Sequence, residues 1–76
     1  MALVTDFLRD DRDRHSVHGK VDCKYSTFQV SGKMFCQLDT YGSKSRQEKG
    51  KVSQSLQLDE DGARKLHTLL AKVFGL

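Results

Sequence analysis

The sequence predicts an α+β fold: an antiparallel sheet of three to four strands with one long C-terminal amphipathic helix packed on one face. Three observations predict it. Residues 63–74 carry Ala63, Leu66, Leu69, Leu70, Val73 and Phe74 at i, i+3, i+4 spacing, the period of a one-sided helix. Upstream, apolar and polar residues alternate with a period of two, over 21–41 and again over 52–58, as half-buried strands do. Between Val30 and Met34, the run Ser31, Gly32, Lys33 marks a hairpin.

The chain divides into an N-terminal arm, 1–16, and a sheet-and-helix domain, 17–76. In the arm, Leu3, Val4, Phe7 and Leu8 fall at helical spacing, which fits a short helix or a docking segment. Residues 10–16 are the most polar stretch and read as a mobile connection, although alternating charges also decorate helices. The acids Asp6, Asp10, Asp11 and Asp13 here meet Arg9, Arg12 and Arg14. The arm is expected to dock on the sheet edge or on a partner.

Val21, Cys23 and Tyr25 alternate with polar residues, and Phe28 and Val30 continue on the opposite parity. A bulge near Ser26 and Thr27, or a break into two strands, accounts for the switch. Register follows the apolar face. A three-residue loop, 31–33, pairs Val30 with Met34 and Phe28 with Cys36, gathering Phe28, Val30, Met34, Cys36 and Leu38 on one face. A two-residue loop pairs Val30 with Lys33 and spoils that gathering, so the longer loop is expected. Tyr25, Gln29, Phe35, Gln37, Asp39 and Tyr41 then lie on the face away from the core.

Residues 42–51 form a basic loop. Lys44, Arg46, Lys49 and Lys51 stand against one acid, Glu48, interleaved with Gly42, Ser43, Ser45 and Gly50. Val52, Gln54, Leu56 and Leu58 then share one parity of a strand. Asp59 is a good helix N-cap, and Glu60 and Asp61 suit the positive end of the helix dipole. Lys72 sits in the last turn, and Gly75 is a natural stop. Burying the large apolar side chains of this helix, at about 1.5–3 kcal/mol each, is expected to be a main stabilising term.

With 76 residues the chain forms one domain. A domain of this size buries only about 60% of its unfolded surface, so stability is modest and dimerisation is a natural remedy. An internal cavity for a cofactor plus a substrate does not fit. The hydrophobic share of 37% and charged share of 30% suit a folded soluble domain. The net charge of +3 leans toward an anionic partner, and its excess lies in Lys20, Lys24, Lys33 and the loop. No apolar run is long enough to span a bilayer. Residues 2–8 are interrupted by Thr5 and Asp6 and lack a basic start, so no signal peptide is expected. The expected location is the cytoplasm, with reduced thiols at Cys23 and Cys36.

Two features carry candidate binding chemistry. Glycines in the loop let backbone N–H groups approach an anion, and Ser43, Lys44, Arg46, Lys49 and Lys51 add donors for phosphate oxygens. The same charges also suit an ordinary solvated loop, and the spacing matches no Walker-type motif. Tyr25, Phe35 and Tyr41 are placed to stack on unpaired bases, or to pack against a second subunit or the arm.

Other constellations are weaker. His15, His18, Cys23 and Cys36 carry the right atoms for zinc, but their spacing resembles no common zinc module. A core cysteine such as Cys36 is ordinarily an apolar filler. No disulfide, metal or cofactor is expected. Asp22, Cys23 and Lys24 have the Asp-x-Lys form of some metal-dependent nucleases, yet no further carboxylate is identified to complete such a site. Nothing orients Cys23 against His15 or His18 as a nucleophile pair. Arg64, Lys65, His67, Thr68 and Lys72 read as the solvated face of the helix.

The order of elements resembles the PUR-domain and transcriptional-coactivator class of single-stranded nucleic-acid-binding proteins. The resemblance runs from about Val21 to Phe74. It rests on the hairpin of residues 28–41, the loop with Ser43, Lys44, Ser45 and Arg46, and residues 51–58 running directly into 59–74. It implies a curved antiparallel sheet, a homodimer, and nucleic acid held near Lys44, Arg46, Lys49 and Lys51. The expected function is therefore a non-enzymatic module for single-stranded DNA or RNA. The alternative is a protein-interaction module, such as a small regulator or inhibitor from a mobile genetic element.

Overall fold

The computed structural model describes residues 1–42 and 51–76. In chain order it has β1 (Ala2–Leu3), β2 (Cys23–Val30), β3 (Lys33–Tyr41), β4 (Val52–Leu58) and α1 (Glu60–Phe74). The α+β class holds. The four strands form one sheet in the order β1-β4-β3-β2. It is antiparallel except at β1, which runs parallel to β4. Among the described residues, no helix is long and apolar enough to cross a membrane.

β2 and β3 join through a two-residue turn, which corrects the expected three-residue loop. Ser31 has φ 52° and Gly32 has φ 77°. Both are positive, as the type I′ turn requires, and that turn matches the right-handed twist of the flanking strands. Val30 therefore pairs with Lys33 and Phe28 with Phe35. The one-residue slip moves each β2 side chain to the other face relative to β3. The pairing runs unbroken from Cys23 to Val30, so no bulge interrupts Ser26 and Thr27. The irregularity lies between Thr40 and Tyr41, where β3 meets β4.

Of the two readings of Leu3, Val4, Phe7 and Leu8, a short helix or a docking segment, the helix does not form and the N-terminus docks on the sheet edge as a short strand. Ala2 pairs with Leu56 and Leu3 with Gln57, and the Val4 N–H donates to the Gln57 carbonyl at 2.9 Å. Pairing of this kind satisfies backbone groups on the open edge of β4. No regular element forms between Val4 and Asp22.

The helix follows its sequence signals. The Asp59 carboxylate accepts from the Gly62 N–H at 2.8 Å. Glu60 and Asp61 occupy the first turn and Lys72 the last, and Gly75 closes the end with a left-handed φ of 68°. The first turn sits hard against the sheet corner. A Cβ at Gly62 would lie 2.6 Å from the Val4 carbonyl oxygen and 3.6 Å from Leu58 Cδ2. Only glycine permits that approach. One turn later, Lys65 Nζ donates to the Thr5 carbonyl at 3.1 Å.

The helix thus packs on the sheet through its first turns, and the apolar stripe beyond this seat is largely exposed. Leu58, at 7% exposure, is the buried apolar side chain among the described residues, whereas Phe74 is 70% exposed and Leu69, Leu70 and Val73 stand open as well. The radius of gyration is 14.7 Å, against about 11 Å for a compact chain of this length.

Candidate nucleic-acid interface

Directly paired residues on neighbouring strands share a face. One face carries Lys24, Ser26, Phe28 and Val30 from β2, Phe35, Gln37 and Asp39 from β3, and Ser55 and Gln57 from β4. The other carries Cys23, Tyr25, Thr27 and Gln29, then Met34, Cys36, Leu38 and Thr40, then Gln54, Leu56 and Leu58. These are called the Phe35 face and the Tyr25 face.

The Phe35 face is an aromatic and amide surface. Phe28 and Phe35 stack with ring centroids 5.3 Å apart and planes 12° from parallel. Pairing across the short turn brings them together, and offset stacking adds about 0.5–1.5 kcal/mol beyond area burial. Further along β3, Lys24 Nζ lies 5.1 Å from the centroid of the Tyr41 ring, which places Tyr41 on this face too. All three rings are half-buried.

Between the rings runs a chain of polar side chains. Gln57 Nε2 donates to Gln37 Oε1 at 2.9 Å. Gln37 Nε2 in turn donates to Asp39, at 3.1 Å to Oδ1 and 3.2 Å to Oδ2. Ser55 Oγ also donates to Asp39 Oδ1. Ser55 is buried at 7% exposure, so the Asp39 carboxylate meets its need for an acceptor. The carboxylate is an obstacle to phosphate at the centre of the face. A nucleic-acid backbone suits the rim instead, where Lys24 and Lys33 stand and where Lys51 leads into Val52 beside Tyr41.

The expected site is only partly assembled. Phe35 and Tyr41 share a face, as their parity in β3 implies. Tyr25 does not join them. It pairs with Leu38 on the opposite face and is 76% exposed there. The shorter turn is the physical reason. Phe28 and Lys24, which sequence reasoning set apart from Phe35 and Tyr41, take the place expected for Tyr25. A two-residue reading of Ser31 and Gly32 is the signal that finds them. Of the cationic residues, Lys51 is described and exposed. Ser43, Lys44, Arg46 and Lys49 lie outside the described residues.

The weaker constellations remain dispersed. His15 Nε2 lies 3.1 Å from the Arg12 carbonyl oxygen. Cys23 and Cys36 are free thiols, and Cys23 pairs with Thr40. Among the described residues, no three His, Cys, Asp or Glu side chains gather closely enough to hold a metal ion. Comparison with known proteins finds no matching family model, no similar curated protein and no similar solved structure.

Proposed function

We propose that this chain is a small non-enzymatic module for single-stranded nucleic acid, acting as a homodimer in the cytoplasm. The observation that carries the reading is the Phe35 face. It puts the Phe28–Phe35 stack and the Tyr41 ring under Lys24 on one side of the sheet, each ring half-exposed. Unpaired bases stack on such rings at about 1–3 kcal/mol per base, without regard to sequence. The amides of Gln37 and Gln57 lie between the rings, bonded to each other and to Asp39, and leave the rings to meet the bases. Phosphates are held by Lys24 and Lys51 at the rim, and by Ser43, Lys44, Arg46 and Lys49 in the sequence that joins Gly42 to Lys51. The free thiols of Cys23 and Cys36 are compatible with a reducing compartment.

Fluorescence anisotropy with single-stranded oligonucleotides tests the reading. Affinity is expected to fall steeply with salt, because phosphate contacts release counterions. The Lys44→Ala, Arg46→Ala double variant is expected to abolish binding, and Phe35→Ala to weaken it by about 1–3 kcal/mol. No binding at micromolar protein in low salt overturns the proposal. The second reading, a protein-interaction module, is favoured by the open apolar stripe of α1.

A further inference from the structure

The helix stripe and the centre of the Tyr25 face, around Met34, Leu38 and Leu56, are both apolar, and the chain does not use one to cover the other. Leu69, Leu70, Val73 and Phe74 stand exposed on α1, and Tyr25, Met34 and Leu56 stand exposed on the sheet. The helix is held at its start. Gly62 is locked against Val4 and Leu58, and Lys65 is bonded to Thr5. A rigid helix fixed in its first two turns cannot swing its last two onto its own sheet.

The uncovered area is large. The accessible surface is 7185 Å². A compact chain of 8.6 kDa exposes about 4,700 Å². The difference is about 2,500 Å² per chain. The irregular segment 4–22 carries part of this excess, and a stable interface needs about 800 Å² per partner. The extents are 39 × 37 × 21 Å, those of a slab.

We infer that two copies of this chain fold as one unit, the α1 stripe of each lying across the Tyr25 face of the other. The chemistry selects this occupant. A nucleic-acid backbone is anionic and does not cover Leu70, Val73 and Phe74. The apolar start of the chain's own arm is tied down at Val4 and Thr5, and its continuation through Asp10, Asp11, Arg12, Asp13 and Arg14 needs water. A second copy brings an apolar helix to an apolar face and an apolar face to an apolar helix. That exchange is self-complementary and closes under a two-fold axis, so it stops at two chains. Tyr25 becomes an interface residue, and the Phe35 face stays open on the outside of both protomers. The inference is independent of nucleic-acid binding: a dimer that binds no oligonucleotide leaves it standing.

Solution mass and one contact test it together. Light scattering at about 100 µM should give twice the 8.6 kDa of the chain. The urea midpoint should rise with protein concentration, as linked assembly requires. Mixing isotope-labelled and unlabelled protein should give intermolecular nuclear Overhauser effects from the Met34 methyl to Leu70, Val73 or Phe74. Val73→Asp should abolish the dimer mass. Should Val73→Asp fail to fold, the wild-type contacts decide the matter without it. A mass of one chain, a mass above two, or a dimer whose intermolecular contacts avoid Met34 overturns the inference.

Discussion

On one side of the sheet, Gln57, Gln37, Asp39 and Ser55 hydrogen-bond to one another across β3 and β4. On the other side, Tyr25, Met34 and Leu56 stand exposed, with Leu56 at 46%. The first face closes its polar requirements internally and can meet water or a ligand without rearranging. The second gains nothing from water and everything from a partner, at about 25 cal/mol for each Å² of apolar surface covered. The two sides of a single small sheet can thus divide the work of recognition and assembly.

The largest expected effect is a direct test of the second face. Leu56→Ala should cost about 2–4 kcal/mol in urea unfolding at fixed protein concentration, the range for truncating a covered leucine. A side chain that remains half in water has far less to lose. A cost below about 1 kcal/mol would return the Tyr25 face to solvent and erase the contrast between the two sides.

That contrast also explains what the sequence could and could not convey. The helix was legible from end to end, because Asp59, Glu60, Lys72 and Gly75 act locally and the apolar stripe has a clear period. The β4 boundaries and the β2–β3 hairpin were legible for the same reason. The hairpin register was not. Gathering apolar residues on one face is a sound rule when that face is buried by its own chain. Here the face holding Met34, Cys36 and Leu38 is only partly covered by the protomer, with Met34 52% exposed, and the register is set by a turn with φ positive at Ser31 and Gly32. Ser31 is a weak signal for that conformation beside asparagine or glycine. β1 was illegible because two residues paired through their backbone leave no side-chain period. Of the candidate site, Phe35 and Tyr41 follow from parity within one strand, whereas Phe28 and Lys24 depend on the register and were lost with it.

The next effect concerns the first face. Asp39→Ala removes the acceptor for Gln37 Nε2 and for the buried Ser55 hydroxyl. The expected cost is about 1–3 kcal/mol, chiefly from stranding Ser55. Adding Ser55→Ala should recover part of that loss, since removing both partners is cheaper than orphaning one. Chemical denaturation of the single and double variants measures the coupling. Additive losses would mean that the polar chain is incidental to this face. Oligomer mass should be unchanged in both variants, in contrast to changes on the Tyr25 face.

The smallest effect separates structure from recognition at Lys24. Its ammonium sits over the Tyr41 ring, an exposed arrangement contributing about 0.5–1 kcal/mol. Lys24→Gln should lower stability by that amount whatever the ligand is. If Lys24 also neutralises a phosphate, the variant should lower the slope of log affinity against log salt by about 0.7 for a single-stranded oligonucleotide. A loss of stability with an unchanged slope would confine Lys24 to holding Tyr41 in place, and the phosphate path would then run along Lys51 and the basic segment before it. A change in slope with no loss of stability would reverse that assignment, making the ring contact a resting position for a side chain whose work is done on the ligand.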